Sequence, residues 1–200
     1  MKNTFIVIIL LLQSLQVFSQ DNENLHILEA DSTWLKEIIK FPLGFAKEIT
    51  FEGYEDIRFP EGWSKQDSPN FWSYVFAWNI SGNIKPTELM LEHNMQFYFD
   101  GLMGIGPNSF NTQSKNGSTA IFIKSKNPGN APEYIGKIKT IDTRFTNKAM
   151  TLNARVEVYY CEQKNNTIIL FRFSPKVFED EIWEILETVK FGANSCNITN

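Results

Sequence analysis

Few side chains in this chain have the type and spacing that chemistry requires. His93 is the only histidine inside a predicted regular element, and Asp100 follows seven residues later. At about 100° per residue the two share a helix face, opposite Leu91, Tyr98 and Leu102. A His–Asp pair supplies a general base and its orienter. Two helical turns separate these two, however, so a third group would have to connect them. The serines lack the G-x-S-x-G elbow, and with only His26 and His93 the chain has little to activate a hydroxyl. Gly101, Gly104 and Gly106 form a glycine-rich run after a predicted helix. A phosphate cradle needs the opposite order, with amides at a helix start facing the anion, so the run reads as a helix end.

The carboxylates give no site either. Glu48, Glu52, Glu55 and Asp56 cluster around a predicted strand, but no loop with calcium-ligand spacing surrounds them. Asp142, Arg144, Arg155 and Glu157 lie on or beside strands, where cross-strand ion pairs are the ordinary arrangement. Neither a metal nor another cofactor is implied. Trp63 stands apart, because it lies in a loop, and loops carry function. It is the candidate ligand-binding residue. His93 and Asp100 are the weaker, catalytic alternative.

The elements that must position these residues centre on Phe71–Ile80. Trp72, Tyr74, Phe76, Trp78 and Ile80 alternate with Phe71, Ser73, Val75, Ala77 and Asn79, the period-two signature of a strand. Four large aromatics on one face carry a gross transfer free energy on the order of 15–25 kcal/mol, an upper bound. That face belongs to the core.

In chain order, Lys2, the apolar run Phe5–Leu12 and Val17 and Ser19 at the −3 and −1 positions make a secretory signal peptide over residues 1–19, cleaved after Ser19. The run is too short to span a bilayer. Residues 20–30 are polar and loose. A single α+β domain fills 31–192, and 193–200 form a C-terminal tail. A helix is expected from Asp31 or Ser32 to Lys40, ended by Phe41-Pro42. Strands follow at Ile49–Phe59 and in the aromatic stretch. A helix runs from Lys85 to Leu102 with Leu91, Met95, Tyr98, Phe99 and Leu102 as its apolar stripe. Four strands come next: Thr119–Ser125, Tyr134–Thr140, Thr151–Tyr160 and Ile168–Phe173. The last is apolar on both faces apart from Arg172, which marks it as central. Ser174-Pro175 opens a final helix carrying Phe178, Ile182, Ile185 and Val189, with Gly192 past its end. Short turns between strands favour an antiparallel sheet of about six strands flanked by helices.

The mature chain has a formal net charge of −5 after residues 1–19 remove one basic residue, and no Lys/Arg cluster. That composition argues against nucleic acid and anionic membrane as partners, and no second apolar run has membrane length. Export to an oxidising compartment favours a disulfide between Cys161 and Cys196, clipping the tail to the sheet.

The phrases KEITFEGYEDIRFPEGW, FWSYVFAWNI, YFDGLM, LNARVEVYYC and FRFSP with IWEIL resemble those of a group of uncharacterised secreted bacterial proteins, over roughly Glu48 to Leu186. The group brings no activity to carry over. The closing strand–Ser-Pro–helix, FRFSPKVFEDEIWEILETVKF, is similar to the end of PsbP/Mog1-type domains. That similarity implies an antiparallel sheet flanked by helices in a binding or assembly module. The expected protein is a secreted or periplasmic, non-catalytic binding domain with a protein or glycan partner. Its function would reside in the loops Pro60–Asn70 and Gly104–Ser118, which are long for simple connections. The alternative is a hydrolase acting on envelope or extracellular polymer.

Overall fold

The computed structural model describes residues 25–106, 117–126, 133–193 and 195–196. The expected signal peptide at 1–19 and most of the Gly104–Ser118 loop lie outside them. Nine strands and two helices follow in order: β1 (Leu28–Glu29), β2 (Leu35–Lys40), β3 (Gly53–Phe59), β4 (Tyr74–Ser81), α1 (Glu88–Met103), β5 (Thr119–Lys124), β6 (Tyr134–Asp142), β7 (Lys148–Cys161), β8 (Asn166–Ser174), α2 (Ile182–Glu187) and β9 (Lys190–Phe191). Seven strands form one antiparallel sheet in the order β2-β3-β4-β8-β7-β6-β5, and β1 pairs with β9 in a separate ribbon. The protein is α+β. Among the described residues no helix is long and apolar enough to cross a membrane.

The sheet has one strand more than expected because residues 31–40 do not form a helix. Leu35–Lys40 pairs instead with Tyr54–Phe59 at the sheet edge. A ten-residue helix is marginal by itself, whereas this segment finds an open strand edge on β3. Asp31, the expected helix cap, accepts from the amide and hydroxyl of Thr33 in a local turn. The final helix is also shorter than expected. It begins at Ile182, after an Asp180 side chain accepts the Ile182 amide. Ile182, Trp183 and Leu186 are its buried residues, and Ile185 stays exposed. The long helix comes close to its expectation. Thr87 caps it through the Met90 amide, and Gly104 closes it in a left-handed conformation.

The sheet separates two apolar layers. Trp72, Tyr74, Phe76, Trp78 and Ile80 lie on the inner face, in one core with Ile57, Phe171, Phe173 and the α1 residues Leu91, Met95, Tyr98 and Phe99. Val75, Ala77, Ile168 and Leu170 lie on the outer face under α2, Trp183 and the β1–β9 ribbon. β8, between β4 and β7, is buried on both faces. Its single charge, Arg172, pairs with Glu157 and donates to the Leu186 carbonyl. Ile27 and Leu28, in the segment expected to be loose, are buried.

That ribbon is held by a buried ion pair. Asp56 and Arg58 point to the outer face of β3, both fully enclosed. Asp56 accepts from the amides of Ile27 and Leu28 at 2.8 and 2.9 Å and meets His26 Nδ1 at 3.1 Å. Arg58 donates to Asp56 and to the Leu28 carbonyl. The unpaired edge of β1 is thereby satisfied by side chains.

Cys161, at the end of β7, and Cys196 stand at disulfide distance, with Cα atoms 5.5 Å apart. Closing this loop is expected to stabilise the fold by on the order of 2–4 kcal/mol. In the non-reduced native protein neither thiol should react with a maleimide probe. Labelling at both positions would remove the bridge.

Candidate functional site

The inner face is not filled to its edge. A pocket of about 420 Å³ opens above β2, β3 and the start of β4. Its floor follows from strand registry. Glu37 opposes Ile57 and Ile39 opposes Glu55, so Glu37, Ile39, Glu55 and Ile57 share one face. Glu37, Ile39 and Ile57 line the cavity, together with seven aromatic side chains from five separate chain segments.

Trp63 and Phe59 form one wall, stacked at 4.2 Å. The loop carrying Trp63 is wound by successive turns, with amides of Trp63, Lys65, Ser68 and Phe71 donating to carbonyls three residues back. It is closed by the Trp72 amide donating to the Trp63 carbonyl at 2.8 Å. Trp72 adopts a left-handed φ of 52° to do so, a conformation that costs a non-glycine residue about 1–3 kcal/mol. The strict alternation of the aromatic strand is thus broken at its first large residue, which turns into the cavity wall.

The opposite wall comes from α1 and two loops. Tyr98 and Leu102 line it, with Phe45 set edge-on to Tyr98 at 5.2 Å. Phe45 reaches this position because Gly101 lets its carbonyl lie on the helix. A Cβ at Gly101 would stand 1.8 Å from that oxygen. Arg144 and Phe145 complete the mouth. They are held by Asp142, whose carboxylate accepts the amides of Arg144, Phe145 and Thr146 at 3.0 Å each. Phe145 contacts Trp72 at 5.3 Å and Trp63 at 5.7 Å.

The polar groups fall into two sets. Glu37 and Arg144 are exposed at the pocket, and no ion pair involves either of them among the described residues. Arg144 donates its Nε to the Leu102 carbonyl at 3.1 Å, which leaves its terminal nitrogens for a ligand. Deeper, Trp72 and Tyr74 are each 2% exposed, and the Trp72 indole N–H and the Tyr74 hydroxyl are buried without a hydrogen-bond partner. Such orphaned groups are uncommon in native proteins. Behind the wall, fully enclosed Glu55 accepts from Trp78 Nε1 at 2.6 Å and from the Tyr98 hydroxyl at 2.9 Å. Burial pushes its carboxyl up to about 8, and the nearby charges of Glu37 and Asp56 act in the same direction. Glu55 is therefore protonated at neutral pH. Burial, with the Glu55 charge second, also raises the Tyr74 phenol well above its usual value.

The sequence candidates separate here. Trp63 lies in the wall. His93 is exposed on the middle of α1 and contributes nothing to the cavity. Asp100 turns away from it, accepting the Ser118 amide. Its carboxyl is raised, first by burial and then by Glu48, with the Ser118 hydrogen bonds opposing. Gly106 and Gly117 pack against this carboxylate, where a Cβ would come within 3.1 and 2.7 Å. Asp100 thus closes the end of α1 onto β5. The geometry does not bring His93 and Asp100 together. Glu37, Phe45 and Phe145, which sequence reasoning did not single out, belong to the pocket. Among the described residues no group of three His, Cys, Asp or Glu side chains could hold a metal.

No family model, curated protein or solved structure matches the chain.

Proposed function

We propose that this protein is a secreted or periplasmic, non-catalytic binding domain of the PsbP/Mog1 kind, and that its ligand sits in the aromatic pocket beside Trp63. The observation that carries this reading is a cavity of ligand size, lined by seven aromatic side chains together with the charged side chains of Glu37 and Arg144. An antiparallel sheet with a helix against each face is consistent with that architecture. A disulfide-distance cysteine pair suits an oxidising compartment.

The hydrolase alternative is favoured by one observation, the Glu37 and Glu55 carboxyls on one sheet face with Glu55 protonated at neutral pH. Against it, both Glu55 oxygens are occupied by Trp78 and Tyr98, and the residue is fully buried. A general acid must reach the atom it protonates.

The test is binding to a small apolar probe such as benzyl alcohol, read from the indole N–H resonances of the isotope-labelled protein. The Trp63 and Trp72 signals should move, and those of Trp183 on the outer face should not. Trp63→Ala should weaken binding about tenfold or more. Because Trp63 stacks on Phe59, the same change should also lower the melting temperature by several degrees. Turnover of generic ester, peptide or glycoside substrates that Glu55→Gln abolishes would overturn the non-catalytic reading.

A further inference from the structure

The pocket combines aromatic walls with two opposite charges in its lining, neither of which forms an ion pair among the described residues. Glu37 and Arg144 both line it, and they do not pair with each other within 4.0 Å. Neither is tied up elsewhere by charge. An apolar ligand would leave both solvated and gain nothing from them. An anion would meet Arg144 but be repelled by Glu37, and a cation the reverse. A sugar would need more hydrogen-bonding groups than these walls offer, since most of them are hydrocarbon. A molecule with one positive and one negative group at one end, and a ring at the other, meets every part of the lining.

We propose that the pocket binds a free aromatic α-amino acid, its carboxylate on Arg144, its ammonium on Glu37 and its ring among the aromatic walls. This assignment rests on the binding-domain reading above. The Arg144 terminal nitrogens suit a carboxylate, because a guanidinium fork presents paired donors. The ring would lie between Trp63, Phe145 and Tyr98, where edge and offset contacts with other rings are favourable.

The experiment is calorimetric titration with L-tyrosine, L-phenylalanine, 3-phenylpropanoate, 2-phenylethylamine and benzyl alcohol, with the indole resonances recorded in parallel. Loss of either charge from phenylalanine should weaken binding about tenfold. Arg144→Gln should weaken phenylalanine about tenfold and leave 2-phenylethylamine unchanged. Glu37→Gln should do the same to phenylalanine and leave 3-phenylpropanoate unchanged. Both residues are exposed, so these variants should fold, which their unchanged melting temperatures would show. If 3-phenylpropanoate or 2-phenylethylamine matches phenylalanine, or if benzyl alcohol alone moves the Trp63 and Trp72 signals, the amino-acid assignment falls while the pocket remains a binding site. If no compound in the panel moves those two signals, both readings fall.

Discussion

Arg58→Ala should cost about 3–5 kcal/mol of folding stability, the largest loss expected from a single charged residue in this chain. The reason is what the substitution leaves behind. Asp56 would remain fully enclosed beneath the β1–β9 ribbon with its counter-ion gone. The Leu28 carbonyl would also lose its donor. For a domain of this size the loss corresponds to a fall in melting temperature of roughly 6–20 °C. Hydrogen exchange gives the local signature: the Ile27 and Leu28 amides, both bonded to Asp56, should lose protection before the β4 and β8 amides do. A melting temperature within about 2 °C of the parent would show that the pair contributes little. The double variant Asp56→Asn with Arg58→Met should be less damaging than Arg58→Ala, because it removes both charges together.

Glu55→Gln should have the opposite sign and should depend on pH. The folded Glu55 carboxyl titrates at about 8, against an ordinary value of 4.5. Below pH 4.5 it is protonated in both states and costs nothing. Between pH 4.5 and 8 the folded chain keeps a proton that the unfolded chain has lost. The folding equilibrium then declines by up to tenfold for each pH unit, and the full penalty, on the order of 3–5 kcal/mol, is reached above pH 8. Glutamine has the same shape and no charge to desolvate. Its oxygen can accept from Trp78, and its amide can donate to the Tyr98 hydroxyl. The variant should match the parent near pH 4.5 and exceed it by several kcal/mol at pH 9. Denaturant titrations of both proteins at pH 5, 7 and 9 measure this, with the other titrating groups cancelling in the difference. Parallel pH profiles for the two proteins would mean that Glu55 is not held neutral by burial.

Much of the architecture was legible as pattern. The alternation of Trp72 to Ile80 placed the inner core face, and the apolar stripe of Leu91 to Phe99 placed the helix against it. The two-sided apolar run at Ile168–Phe173 placed β8 at the centre of the sheet. These are local periodicities, and burial of one face follows directly from them. Residues 31–40 were misread because their composition suits a short helix or a strand equally. Only the free edge of β3, whose residues pair with this segment across 14 to 24 positions, makes the strand the better partner. Ile185 was misread for a related reason, since the terminal helix is too short for its spacing to select a face.

The site was legible only in part. Trp63 stood out from the sequence as an aromatic in a loop. The cavity it borders joins residues from Glu37 to Phe145, and no local spacing records that juxtaposition. The fates of the acidic residues show the same limit. Glu48, Glu52, Glu55 and Asp56 form one cluster along the chain. On β3, neighbouring side chains leave opposite faces, so Glu55 enters the aromatic core as a neutral acid, whereas Asp56 meets Arg58 on the outer face as the anchor of β1. Composition and periodicity determined that this chain builds a sheet with an aromatic inner face. Tertiary packing alone decided which carboxyls lose water, which ion pair is enclosed and where the aromatic face is left open, because each depends on which distant segments cover it.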